Sequence, residues 1–248
     1  MKRVIVMVCA VLVLGCAAYA ADTLVYDGGG SGGIQQAMVE LGIAYDLRTA
    51  ATPVTAADLA SHNLLVVGWN ELGDMSGLSA PVLAGGITGI KLLTGHDADW
   101  HVVHGQDAGG GGDAVDAAAT LFLSQAIGFA GGGGGGGGCG LVALADFSTG
   151  FSYLPPEWCV AQGGLIQEYV SAITPQGQAS GVYDGLTAAD MSNWINSYHA
   201  SFIVFAPEFA PFELGNYGEP ITIATPEPAT LCLLGVGAAG MFLRRRRK

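Results

Sequence analysis

Residues 64–69 read LLVVGW, and this unbroken apolar run restricts the fold more than any other stretch. A strand with one wet face alternates apolar and polar residues, whereas a continuous run implies a strand covered on both faces. Shorter apolar runs at 24–26, 43–47, 90–94, 141–145 and 202–206 bring the expected strands to six. Helical patterns lie between them. Ile34, Ala37, Met38 and Leu41 recur at helical spacing, and Gly42 is placed to close that helix. Thr55 and Asp58 have the spacing of a reciprocal N-terminal cap, with Val54 and Leu59 as its hydrophobic staple. Leu186, Thr187, Asp190 and Met191 repeat this signature, and Met191, Trp194, Ile195 and Tyr198 would form the buried face behind it. Val115, Ala119, Phe122, Ala126 and Phe129 line one stripe of a longer helix, and 163–173 is a weaker helix. Strands alternating with helices predict an α/β fold: an open, mostly parallel sheet in three layers. The eight glycines at 131–138 suit neither helix nor strand and are expected to form a flexible surface loop. Pro211, Gly215, Gly218 and Pro220 interrupt every period, so 208–224 is expected to be an extended stalk.

Both ends carry processing signals. Lys2-Arg3, the apolar run 4–14 and Ala18-Tyr19-Ala20 have the order of a secretory signal peptide over 1–20, cleaved after Ala20. Val13-Leu14-Gly15-Cys16 offers a second reading, in which Cys16 becomes a lipidated N-terminus. At the other end, Pro226-Glu227-Pro228 precedes an uncharged run at 229–243 and five cations, Arg244 to Lys248. As a helix that run would reach about 22 Å, short for a span, though terminal arginines extend it by snorkelling. The cations mark their side as cytoplasmic. This three-part tail at 225–248 resembles the PEP-CTERM sorting signal of Gram-negative bacteria. The resemblance implies a short transmembrane helix in the inner membrane and an exosortase-type sorting protease acting at Pro226, Glu227 and Pro228. It also implies a final location at the cell surface or in the extracellular matrix. The exported α/β domain would then occupy 22–207. Its element order and Gly-rich first turn resemble the opening of flavodoxin-like and class I amidotransferase-like domains.

Charge restricts the partners. Of nine Lys and Arg, only Arg48 and Lys91 lie between the two end signals, against all the acidic residues except Glu227, a balance of about −18. Such a surface excludes nucleic acid, whose phosphates need clustered cations, and disfavours anionic lipid. Cations, or the neutral hydroxyls of an exopolysaccharide, are compatible with it. Outside the end signals only Cys139 and Cys159 remain of five cysteines, and export makes a disulfide between them an expectation.

The candidate sites are few. Gly28, Gly30 and Gly33 satisfy G-x-G-x-x-G after a strand and before a helix, with Asp46 where a ribose-binding acid would stand. A tight strand-to-helix turn is the simpler expectation. His96, Asp97, Asp99, His101, His104 and Asp107 follow the carboxyl end of an expected strand, the edge at which open α/β sheets bind ligands. Imidazoles with carboxylates suit zinc, and carboxylates alone suit calcium, so His96, Asp97, Asp99 and His101 are the candidate metal ligands. A polar loop whose side chains cap one another is the alternative. Cys139 lies in Gly-Gly-Cys-Gly-Leu, but a nucleophile elbow needs a strand before the cysteine and a helix after it. His199 is placed to meet Glu208 or the last carbonyls of its helix. Trp69, Trp100, Trp158 and Tyr153 could stack on sugars or fill the core. No catalytic set is complete. The expectation is therefore a non-enzymatic exported protein, with a hydrolase-like or metal-binding domain built on 96–107 as the rival.

Overall fold

The computed structural model describes residues 23–30, 33–69, 73–104, 112–132, 138–145, 151–163, 171–192, 194 and 200–226. Residues 1–20, read above as a signal peptide, and residues 227–248 of the tail lie outside them.

Five of the six apolar runs supply the parallel half of one sheet. Strands β1 (Thr23–Tyr26), β2 (Asp46–Arg48), β3 (Leu64–Val67), β4 (Ile87–Thr94) and β5 (Cys139–Leu144) are joined by parallel pairs in the order β2-β1-β3-β5-β4. Every residue of β1, β3 and β5 is buried, as expected for strands covered on both faces. Fully burying one such Leu or Val contributes roughly 1.5–3 kcal/mol, so the three strands anchor the core.

The order is not flavodoxin-like. That fold runs 2-1-3-4-5, whereas here β4 and β5 exchange places. From β3 the chain passes to β4 and leaves one strand's width open. The 21-residue helix α5 (Gly112–Gly132) then carries it back, so that β5 fills the gap. Ala119, Phe122, Ala126 and Phe129 are buried on α5, which packs against β3, β4 and β5. Gly131 and Gly132 belong to this helix, whereas 133–137 lie outside the described residues.

The shorter helices follow their local signals. Helix α1 (Ile34–Glu40) begins after Gly33 at φ 89° and is followed by Gly42 at φ 68°, whose N–H donates to the Val39 carbonyl. Helix α2 (Ala56–Ser61) has the full reciprocal cap: the Asp58 N–H donates to Thr55 Oγ1, and the Thr55 N–H to Asp58 Oδ2 at 2.9 Å. Val54 and Leu59 are buried beside it. Asp58 also accepts from the Arg48 guanidinium at the end of β2. That hydrogen bond, with Thr55, holds the Asp58 carboxyl down at about 2. A depressed carboxyl pKa stabilises the fold above the unfolded value near 3.9 and loses this contribution as pH falls from about 4 towards 2. We expect Arg48→Ala to cost about 1 kcal/mol at pH 7, given the partial exposure of the pair, and almost nothing near pH 2. Urea melts at both pH values check this; an equal loss at both would assign the effect to packing.

Helix α3 (Ala80–Gly86), with Pro81 in its first turn, carries no strong periodic signal and is not anticipated by the sequence. Helix α4 (Ala98–His104) occupies the stretch expected to be a polar loop. The ends of the expected helix at 163–173 are strands instead. Gly163 ends strand β6 (Cys159–Gly163), Ala172 and Ile173 form the short strand β7, and 164–170 lie outside the described residues. Helix α6 (Pro175–Ala179) follows, capped by Thr174. The Thr187 and Asp190 pair exchanges the bonds its spacing implies, at 2.7 and 3.4 Å, but within turns. Strand β8 (Ala200–Phe205) leaves the main sheet and pairs antiparallel with β6 in a two-stranded ribbon.

The expected stalk is the main correction. Residues 208–224 contain β9 (Ala210–Leu214) and β10 (Pro220–Ala224), which extend the sheet antiparallel beyond β4 in the order β4-β10-β9-β7. The residues read as breakers make the hairpin. The Gly215 N–H donates to the Glu219 carbonyl, Gly218 turns the chain at φ 80°, and Pro220 takes the first position of its strand. Ile221 and Ile223 are fully buried.

The expected disulfide is also corrected. Cys139 and Cys159 are both free and buried. Cys139 opens β5 inside the main sheet, whereas Cys159 pairs with Phe205 in the separate ribbon. Burial pushes each thiol up to about 12, so neither is a thiolate near neutral pH.

Candidate functional site

The polar residues after β4 are placed at the carboxyl end of a parallel strand, but inside the protein. His96, Asp97 and Asp99 are completely buried, and His101 almost so. What surrounds them is set by the antiparallel strands. Thr94 on β4 is in register with Thr222 on β10, and Thr222 with Glu213 on β9. Glu213 is fully buried and accepts at both oxygens. Oε2 receives His96 Nε2 at 2.9 Å, the Tyr183 hydroxyl at 3.0 Å and Thr222 Oγ1 at 3.2 Å. Oε1 receives Ser171 Oγ at 2.6 Å.

Because Thr222 donates to Glu213, Thr94 must donate to Thr222 across their 2.9 Å contact, and Thr94 Oγ1 in turn accepts from the His96 N–H. The bonds close a ring that leaves His96 at its backbone and returns at its imidazole. A fully satisfied buried network of this kind strengthens its members and fixes their geometry. Burial, with the nearby Glu213, holds the Tyr183 hydroxyl well above its usual range, which keeps it a donor.

The other expected ligands serve different partners. Asp99 accepts from the Trp69 N–H at 3.1 Å and the Trp100 N–H at 3.0 Å, tying α4 to the end of β3. Burial, reinforced by the charge of Asp97, pushes the Asp99 carboxyl well above the usual carboxylate range. His101 Nε2 lies 3.6 Å from Asp97 Oδ1, one helical turn away. His96 and His101 both pack against the buried Trp194, with ring centroids at 4.7 and 5.2 Å. His104 stacks on Trp100 and contacts its carbonyl at 3.0 Å; Asp107 lies outside the described residues. Among the described residues, no group of three or more His, Cys, Asp and Glu side chains is arranged to hold a metal ion.

At the Gly-rich turn, Asp27 accepts the bonds that the described residues offer. Its carboxylate accepts from the Gly29 N–H at 2.7 Å and from Gln35 Nε2 at 2.6 Å, and its charge opposes a pyrophosphate. Asp46 begins β2 rather than ending it and contacts His62 Nε2 at 3.1 Å, so the ribose position is not formed. Cys139 is followed by its strand, opposite to an elbow. Glu208 pairs with Lys91 at 3.3 Å, and His199 lies outside the described residues. Trp69, Trp158 and Tyr153 are buried in the core, so they form no open platform for a sugar.

Glu213, Tyr183, Ser171 and Thr222 were not singled out by the sequence. Glu213 offered one signal, an acid between Phe212 and Leu214 in a run otherwise of strand-forming type.

The end of β10 connects this core to the tail. Thr225 is still bonded to β4, its N–H to the Lys91 carbonyl and its hydroxyl to the Lys91 N–H, both at 2.9 Å. Residues 224–248 match the PEP-CTERM protein-sorting motif. The chain therefore carries an exosortase sorting signal at its C-terminus. No curated protein matches the chain. The sorting motif begins on the last residue of β10, with Pro226 one residue beyond the final sheet bonds. Among the described residues, no helix is long and apolar enough to cross a membrane; the apolar run of the tail lies outside them.

Proposed function

We propose that this is an exported protein of the cell surface or extracellular matrix, delivered by its PEP-CTERM tail, whose body works without catalysis. The observation that carries the reading is the sorting motif itself, set directly against a folded domain. The signal-peptide pattern at 1–20 supports export. For the body, the most polar cluster is committed to internal bonds. His96 and Glu213 join the parallel and antiparallel halves of the sheet, and Asp99 joins a helix to β3. A strongly acidic surface keeps such a protein soluble and accommodates neutral exopolysaccharide.

Processing should depend on Pro226, Glu227 and Pro228. In a host with the sorting protease, Glu227→Ala is expected to leave most of the protein as full-length precursor in the inner membrane, against nearly complete maturation of the parent. Immunoblots of membrane and surface fractions read the outcome, and normal maturation of the variant would remove the main support. The non-catalytic reading is tested separately. Stoichiometric zinc or calcium in the purified body, lost on replacing His96 and His101 by Ala with the fold intact, would replace it with the metal-binding alternative.

A further inference from the structure

The two ends of the domain leave from one edge of the sheet. Leu24, Leu65, Leu141 and Lys91 lie in one row across β1, β3, β5 and β4. The chain enters at Thr23, one residue below this row, and leaves at Thr225, level with Lys91, because β10 runs antiparallel to β4. Four strand spacings separate the two points, roughly 19 Å. From Thr225 to Ala229, where the uncharged run of the tail begins, four residues reach at most about 14 Å. A tail inserted in the bilayer therefore holds this edge against the membrane.

Close to this edge, the outward face of the β6–β8 ribbon carries an apolar patch. In the β6–β8 ribbon, Val160 is opposite Val204, and Ile203 sits in the bulge beside them. They are 50, 59 and 61% exposed, the largest such group among the described residues. One end of the ribbon meets the carboxyl end of β4, where the Ala200 N–H donates to the Gly95 carbonyl at 3.0 Å. The other end lies beside the tail's exit. There the Trp158 ring sits 5.1 Å from Lys91 Nζ, and the Ala206 N–H donates to the Trp158 carbonyl at 2.9 Å. Val160 and Val204 are one residue from that lower end.

We propose that, while the precursor is anchored, Val160, Ile203 and Val204 rest on the lipid surface at the interface into which the tail inserts. The domain then leans onto the outward face of the ribbon beside the tail's exit. This placement rests on the sorting reading. Burying apolar surface at the interface is favourable. The acidic body repels anionic headgroups, so the contact is apolar and lipid-facing rather than electrostatic.

The test uses the full-length chain in inner membranes of a host lacking the sorting protease. A benzoylphenylalanine photocrosslinker replaces Val204 in one variant. In a second it replaces Ser76, an exposed residue beyond the carboxyl end of β3. The expected result is a lipid adduct at position 204, at least five times more abundant than at 76. Equal adducts, or adducts only at 76, or none at 204 in a membrane-bound chain, would overturn the placement. A chain absent from the membrane fraction would instead overturn the sorting reading, and the placement with it.

Discussion

Replacing Glu213 by alanine is expected to destabilise the domain by about 4 kcal/mol. The carboxylate receives donors from His96, Tyr183, Ser171 and Thr222, all in the interior. Its loss strands those donors without water, and breaking one side of a buried charged cluster costs about 3–5 kcal/mol. Set against a total stability of about 5–15 kcal/mol, this is a large part of what holds a domain folded. Glu213→Gln keeps the volume and one acceptor oxygen, so we expect roughly half the loss. Urea denaturation at unchanged slope gives both values. A loss under about 1 kcal/mol for the alanine variant would show that the ring between the two halves of the sheet contributes little.

The second large effect is steric. Gly95 links β4 to His96, and its own N–H donates to the Ile221 carbonyl at 2.8 Å. A Cβ built there would stand 1.8 Å from the Ala200 carbonyl oxygen and 2.7 Å from its carbon. Both are backbone atoms held by the Ala200–Gly95 bond, so no side chain can swing aside. Gly95→Ala should therefore cost about 3 kcal/mol or more, at the upper end of overpacking penalties. Gly85 is the control. It lies within α3 with nothing within 4 Å of an added Cβ. Gly85→Ala should stabilise by up to about 1 kcal/mol through helix propensity and a less flexible unfolded chain. Thermal melts of the two variants should move in opposite directions, and similar shifts would show that the β8 strand gives way at Gly95.

The two variants also separate what each level of organisation determines. Continuous apolar runs at 24–26, 64–67 and 141–144 identify buried parallel strands, because burial on both faces is written in consecutive residues. Thr55 and Asp58 identify the start of α2, because a cap is made within three residues. The sorting motif is likewise readable from its own residues. Nothing local says that β5 enters between β3 and β4, or that Pro211, Gly215, Gly218 and Pro220 make a hairpin rather than a stalk. His96 could be read as a metal ligand because its partner, Glu213, is 117 residues away. Side-chain type and spacing determine what a residue can bond. Which bond it makes depends on the sheet that brings β9 and β10 beside β4, and only the tertiary structure supplies that neighbour.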